Sequence, residues 1–212
     1  MRKDYREDDL EREATVLRFS LSTMKTLAAA GVPPLIFPLK SRSKYSYHES
    51  PRCFGAKRSG GRLHAGVDLY GNAGAPIFAL ASGTIKAVSF FNVTGKKEHA
   101  KSVSQIVIDH GAFTARYCEV ANDFPAGIKA GGEVNAGDHI GYIGNLAGVI
   151  NWPHNMLHLE IYGGFLTGGF TDVNNPPYKR RADLLDPTPF IDRASMLGGY
   201  FDEVVTTAAA TA

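Results

Sequence analysis

His64 and Asp68, four residues apart in Arg62-Leu-His-Ala-Gly-Val-Asp-Leu-Tyr70, and His158, in Met156-Leu-His-Leu-Glu-Ile-Tyr162, supply two imidazoles and a carboxylate. Zinc accepts imidazole nitrogen and carboxylate oxygen, and a catalytic zinc site takes three protein ligands and leaves the fourth position to water. The count fits. Taken alone, His-x-x-x-Asp is a weak signal, because many chains contain it and a lone histidine is more often a hydrogen-bonded structural residue. Its value depends on the elements that hold the three side chains.

A helix would place His64 and Asp68 on one face, but Gly66 and Val67, followed by Leu69-Tyr70-Gly71, oppose a helix there. The stretch reads as a strand entry bent at Gly66. Around His158, alternation predicts a half-buried strand: Met156, His158, Glu160 and Tyr162 share one face, and Leu157, Leu159 and Ile161 face the core. Glu160 then stands beside His158 as a possible orienting partner. The same parity in Arg116-Tyr-Cys-Glu-Val120 puts Tyr117 and Glu119 on one face and Cys118 and Val120 on the other. A carboxylate within reach of a metal's water can take its proton, so Glu119 is a candidate base, although an acid on a strand is by default merely solvated.

From about Arg52 to Gly163 short apolar runs alternate with glycine: 75–80, 83–91, 105–108, 114–120, 139–143 and 156–162. Runs of this length, rich in Val, Ile, Phe and Tyr, read as strands. No segment between them is long enough for a crossover helix, so the fold class is mostly β with an antiparallel sheet. Residues 1–44 read as a helical arm followed by a Pro-rich linker, with Phe37-Pro38-Leu39 anchoring the chain to the core. Residues 45–165 form the domain, and 166–212 a loop-rich extension that wraps it before a short terminal helix.

The chain has 212 residues, 44% hydrophobic and 21% charged, with 23 glycines and 11 prolines, which excludes a disordered protein. A formal net charge of +2 gives no support to a nucleic-acid-binding surface. Leu27 to Leu39 is the longest apolar stretch and is broken by Pro33, Pro34 and Pro38, too short for a membrane span. The first 13 residues hold six acids and four bases, unlike a cleavable signal peptide. Cys53 and Cys118 lack the spacing of a structural zinc site, and pairing and two free thiols are both open.

Several segments together resemble the LytM/lysostaphin-type M23 family of zinc metallopeptidases: Gly61 to Leu69, Gly74 to Ala79, Ser82 to Ile85, Ile106 to Gly111 with Thr114 and Tyr117, Val134 to Gly144, and Leu157 to Glu160. They occur in the family's order from about Arg52 to Tyr162. The resemblance implies an antiparallel sheet with a narrow groove, Zn2+ held by His64, Asp68 and His158, and a metal-bound water that attacks a peptide carbonyl. It also implies the family's usual substrate, the stem or bridge peptides of bacterial peptidoglycan.

Two departures bear on catalysis. Where the family's His-x-His motif has its first histidine this chain has Met156, and where Tyr-x-His supplies another the chain has Tyr117-Cys118-Glu119. Both usual proton-handling histidines are replaced. Glu119 is the first choice for a substitute base and His154 the second, with Tyr117 or His154 assisting the oxyanion; His110 reads as structural. The expectation is a zinc endopeptidase acting in the periplasm or cell wall, carried there by a phage, a secretion system or lysis, with the N-terminal arm as a docking element. The alternative is a catalytically degenerate domain that binds cell-wall peptide or a partner protein.

Overall fold

The computed structural model describes residues 35–94, 101–146, 154–164 and 166–197. The helical arm expected over the first 30 residues and the terminal Thr-Ala run lie outside them. Nine strands follow in order: β1 (Val67–Tyr70), β2 (Pro76–Phe78), β3 (Gly83–Thr94), β4 (Lys101–Asp109), β5 (Thr114–Val120), β6 (Glu133–Val134), β7 (His139–Tyr142), β8 (Met156–Tyr162) and β9 (Leu184–Leu185). One short helix, α1 (Thr188–Arg193), with Pro189 in its first turn, closes the described chain.

The main sheet runs β1-β8-β5-β4-β3-β6, with β9 pairing β8 beyond β1, and every pair is antiparallel. This is the mostly antiparallel β fold expected from glycine-punctuated runs without crossover helices. β2 and β7 form a separate two-stranded sheet, which the pattern of runs did not reveal. It packs on the main sheet so closely that a Cβ on Gly141 would lie 2.8 Å from Val120 Cγ1 and 3.5 Å from Ile106 Cδ1. Only a glycine permits that approach. Leu157, Leu159 and Ile161 are fully buried in this core together with Ile77, Ile85, Ile106, Ile108 and Ile140.

The segment from Leu35 to Leu39 enters the same core. Phe37 and Leu39 are buried, Phe78 N–H donates to the Pro38 carbonyl (2.9 Å), and Phe37 N–H donates to the Ser195 carbonyl (2.8 Å). From the other end, β9 extends the edge of β8 and Phe190 packs its ring 5.0 Å from Phe113. Both flanks of the apolar-run region therefore pack against the sheet.

β8 departs from the half-buried strand that its alternation predicts: all seven residues are buried. The reason is chemical. The polar face carries His158 and Glu160, whose charges are satisfied by partners from β1, β5 and the C-terminal stretch, and those partners roof the strand. A polar face can be buried when each group is paired.

Candidate metal centre

β1 and β8 lie side by side in a register that sets Asp68 opposite His158. The entry to β1 bends at Gly66, as the sequence suggested, because β8 passes there at backbone contact. A Cβ on Gly66 would overlap the Leu159 carbonyl and lie 2.9 Å from His158 Cε1. Just upstream, residues 56–64 form a tight hairpin: Lys57 bridges Leu63, and His64 N–H donates to the Ala56 carbonyl (2.8 Å). The returning arm of that hairpin delivers His64 to the end of β1.

The three side chains meet. Asp68 Oδ1 is 3.1 Å from His64 Nε2 and 2.8 Å from His158 Nδ1, and the two imidazole nitrogens are 3.0 Å apart. Their outward nitrogens fix the tautomers. His64 Nδ1 faces the Cys53 carbonyl at 2.8 Å, and a carbonyl can only accept, so Nδ1 carries the hydrogen. His158 Nε2 faces Glu160 Oε1 at 3.1 Å and donates likewise. The inward nitrogens and a carboxylate oxygen of Asp68 therefore point into one small space, where each imidazole offers a lone pair when it is neutral. A shared cation, whether a proton on His158 Nδ1 or a metal ion, relieves the crowding of these three atoms.

The electrostatics agree. Burial leads in pushing His64 down, outweighing the pull of Asp68. Burial also opposes charge on His158, yet its hydrogen bonds to Asp68 and Glu160 and their charges raise it to about 10. For Asp68, hydrogen bonds from both histidines overcome burial and hold the carboxyl well below the usual carboxylate range. The cage thus favours one positive charge among its three groups. Two imidazoles and a carboxylate with converging ligand atoms are the donor chemistry of a catalytic zinc site, so the residues present fit that ion.

A second layer holds the cage in place. Asp68 Oδ2 accepts from Arg58 Nη2 (3.1 Å), which leaves Oδ1 to the centre. Glu160 is fully buried and accepts from Arg116 Nη1 (2.8 Å), Arg180 Nε (2.9 Å) and the Tyr162 hydroxyl (2.7 Å) as well as His158. Burial alone would raise Glu160, but His158, Arg116 and Arg180 hold it strongly ionised. Phe91 stacks over the His158 ring at 6.5 Å, turned inward by the β3–β4 register shift between Phe90 and Asn92. Of these groups only Glu160 was legible in the sequence. Arg58, Arg116, Phe91 and Arg180 carry no sequence signal.

Glu119 and Tyr117 separate, against the parity reading. The β4–β5 register shifts so that Ser104 opposes Val120 while Gln105 opposes Cys118, leaving Glu119 as the extra residue with φ of 65°. A bulge with its residue in the left-handed region reverses the direction of the side chain. Glu119 thus leaves the core face that alternation assigns it and comes under the charges of His158, Asp68 and Arg58. Its Oε2 is sealed from solvent without a hydrogen-bond partner, and burial, first among the causes, pushes the carboxyl up to about 7. Gly144 N–H fixes the bulge by donating to the Glu119 carbonyl (2.8 Å).

Tyr117 stays on the core face. Its hydroxyl accepts from Leu80 N–H (2.8 Å) and lies 3.3 Å from His110 Nε2, so it is not brought to the cage. His110 in turn faces the Ser82 carbonyl at 3.0 Å, and burial lowers it to about 4, which keeps it neutral. His154 stacks on Tyr70 at 4.9 Å, beside the site but in no hydrogen bond with the cage. Met156 is buried in an apolar cluster with Tyr70, Val103 and Leu146. Cys53 and Cys118 are unpaired.

The fold and the cage define a class: a mostly antiparallel β protein of the LytM/lysostaphin type, with a two-histidine, one-aspartate centre. A family model described as Peptidase family M23 matches residues 62–169, a little over half of the sequence, and the chain belongs to that family. It is 29% identical over 152 residues to the L-Ala--D-Glu endopeptidase of Bacillus subtilis (strain 168), covering 67% of this chain and 41% of that relative. The chain therefore spans less than half the length of that curated relative. Among solved structures, the antimicrobial peptidase lysostaphin from Staphylococcus simulans is similar at 20% identity with a TM-score of 0.51, covering 83% of this chain and 62% of that one.

Proposed function

We propose that the protein is a zinc-dependent endopeptidase that hydrolyses peptide cross-links of bacterial peptidoglycan, with His64, Asp68 and His158 holding the metal and Glu119 as general base. The observation that carries this reading is the convergence of His64 Nε2, His158 Nδ1 and Asp68 Oδ1 within hydrogen-bond distance of one another. Zinc bound by these donors would polarise the scissile carbonyl and acidify a water. Glu119 takes the water's proton. Its carboxyl is unpaired, near the cage and poised around neutrality, where a base is most effective. The same carboxyl, once protonated, returns the proton to the leaving amine. Arg58 and Glu160 hold Asp68 and His158 in their orientations, as partners beyond the ligands of metal sites do.

The M23 membership and the endopeptidase relative support peptidoglycan as substrate, and with it action in the periplasm or cell wall. Among the described residues no helix is long and apolar enough to cross a membrane. Docking to a phage or secretion carrier would fall to the N-terminal arm, outside the described residues.

A second reading is favoured by Met156. It is buried among apolar side chains where the family's motif has a histidine, and it exchanges no proton. A domain that binds cell-wall peptide without cutting it would tolerate that residue. Digestion of purified peptidoglycan by the zinc-loaded protein and by Glu119→Ala separates the two. The enzyme reading expects new peptide ends from the wild type and a loss of about 10²- to 10⁴-fold in the variant. Peptide binding with no new ends establishes the second reading instead.

A further inference from the structure

A cavity of about 260 Å³ opens where β1 ends. Its apolar lining is Phe37, Leu39, Leu69 and Tyr70, and the chain from Ser41 to His48 supplies the rest. That segment precedes residues 62–169, so most of the cavity is built outside the part of the chain that the M23 family matches. Tyr70 ties it to the metal centre. Two residues beyond Asp68 on the same strand, its ring stacks on His154 at 4.9 Å and meets Tyr45 at 5.8 Å.

The lining is preorganised and its charge has one sign. Ser43 Oγ accepts from Tyr45 N–H and Ser46 Oγ from His48 N–H, both at 3.1 Å, which holds the curl of the segment and leaves each hydroxyl hydrogen to donate. The Tyr47 hydroxyl donates to Asp192 Oδ1 (2.6 Å) and accepts from Arg42 Nη1 (3.0 Å). Arg42 lies over the Phe37 ring at 4.1 Å, and Lys44 Nζ stands 5.2 Å from the centre of the Tyr45 ring, with no ion pair to Lys44 among the described residues. None of the described side chains that line the cavity is acidic. The two nearby acids are engaged: Asp192 by Tyr47 and by His48 Nε2 (3.0 Å), Glu49 by Arg52 Nη2 (3.3 Å). Cations, hydroxyl donors and tyrosine rings around one small volume complement a ligand with a negative charge, hydroxyls and an apolar ring face. Pockets for drug-sized ligands run to about 300–1,000 Å³, so a space just below that range takes a single ring.

We propose that this cavity binds one sugar ring bearing a carboxylate, with the carboxylate against Arg42 and Lys44 and the ring among the tyrosines and serine hydroxyls. A neutral sugar leaves the cations unmatched, and a bare carboxylate leaves the hydroxyl and aromatic lining unused. The inference does not depend on the peptidase reading. Because Tyr70 belongs both to the cavity and to the strand that carries Asp68, a glycan unit held there lies alongside the metal centre.

The test titrates zinc-loaded protein with D-glucuronate, with D-glucose, which differs from it in lacking the carboxylate, and with acetate, which lacks the ring. Binding is read from the backbone amide shifts of residues 41–48 and 69–70 by NMR. Glucuronate should move these signals and bind about tenfold more tightly than glucose, the effect of one charged hydrogen-bonded contact, and acetate should bind at least about tenfold more weakly than glucuronate. Lys44 is exposed, so Lys44→Gln should fold as the wild type does and lower the ratio of glucuronate to glucose affinity several-fold. Lys129→Gln, exposed and outside the cavity, should leave that ratio unchanged. Absence of shifts with glucuronate, equal affinity for glucuronate and glucose or for glucuronate and acetate, or a ratio that survives Lys44→Gln overturns the proposal. So do shifts that follow His64 and His158 in place of residues 41–48, since they put the anion on the zinc.

Discussion

Glu119 is where a single backbone angle decides which face of a strand a side chain serves. In the left-handed region a non-glycine residue costs about 1–3 kcal/mol, and such strain concentrates at functional sites. Because its carboxyl sits at about 7 and a bound dication would draw it lower, activity should fall on the acid side with a midpoint at or below about 7. A pH–rate profile checks this, and Glu119→Gln should abolish turnover at every pH. Stability moves in the opposite sense. The folded value is raised above the ordinary 4.5, so the metal-free protein loses stability as pH rises from about 4.5 through about 7. Glu119→Gln removes this loss. Thermal melts of the two metal-free proteins should coincide near pH 4 and separate by on the order of 3 kcal/mol in favour of the variant above pH 7. Glu119 was legible as a candidate from its place in the Tyr-x-His position, but its direction was not. Parity joined it to Tyr117, and the bulge that parts them depends on the register of β4, which a single strand's sequence does not encode.

At the scale of elements, β8 was legible to the residue because alternation, length and flanking turns agree over Met156–Tyr162. That its polar face is covered was not legible, since the covering groups come from Arg116 on β5, Phe91 at a bulge of β3 and Arg180 far downstream. The β1 entry depends on Gly66 in a way that space alone explains. Gly66→Ala places a methyl on the Leu159 carbonyl and against the His158 ring, so it should cost about 2 kcal/mol or more and displace His158. A denaturation curve and a metal-binding titration on one preparation should both shift. Arg180→Met leaves Glu160 with His158, Arg116 and Tyr162 but removes one buried charge partner. Zinc affinity should fall by about 10- to 100-fold, read by competition with a chelating dye, because Glu160 sets the tautomer of His158.

Across the whole molecule, the described ends of the chain serve the same body. The strand-like segment at Ile36 runs parallel to Ser195, and Phe190 seats beside Phe113 under the sheet. The sequence resemblance ends near Tyr162, yet Arg180 and the Pro177 carbonyl act on the site from beyond it. A flanking loop whose contacts are single hydrogen bonds leaves no periodic pattern, which is why its part in the site escaped a reading by runs and motifs. The grouping of His64, Asp68 and His158, by contrast, was legible because chemistry restricts it: few residue types bind zinc, and each lies next to a glycine-bent or alternating strand. The site rests on those three donors. Metal analysis of the purified protein after zinc loading and dialysis, beside His64→Ala and Glu119→Gln, therefore tests it most directly. One tightly held zinc per chain in the wild type and Glu119→Gln, and none in His64→Ala, is the predicted result; a wild type that releases its zinc on dialysis, or a His64→Ala variant that keeps it, would contradict the metal centre.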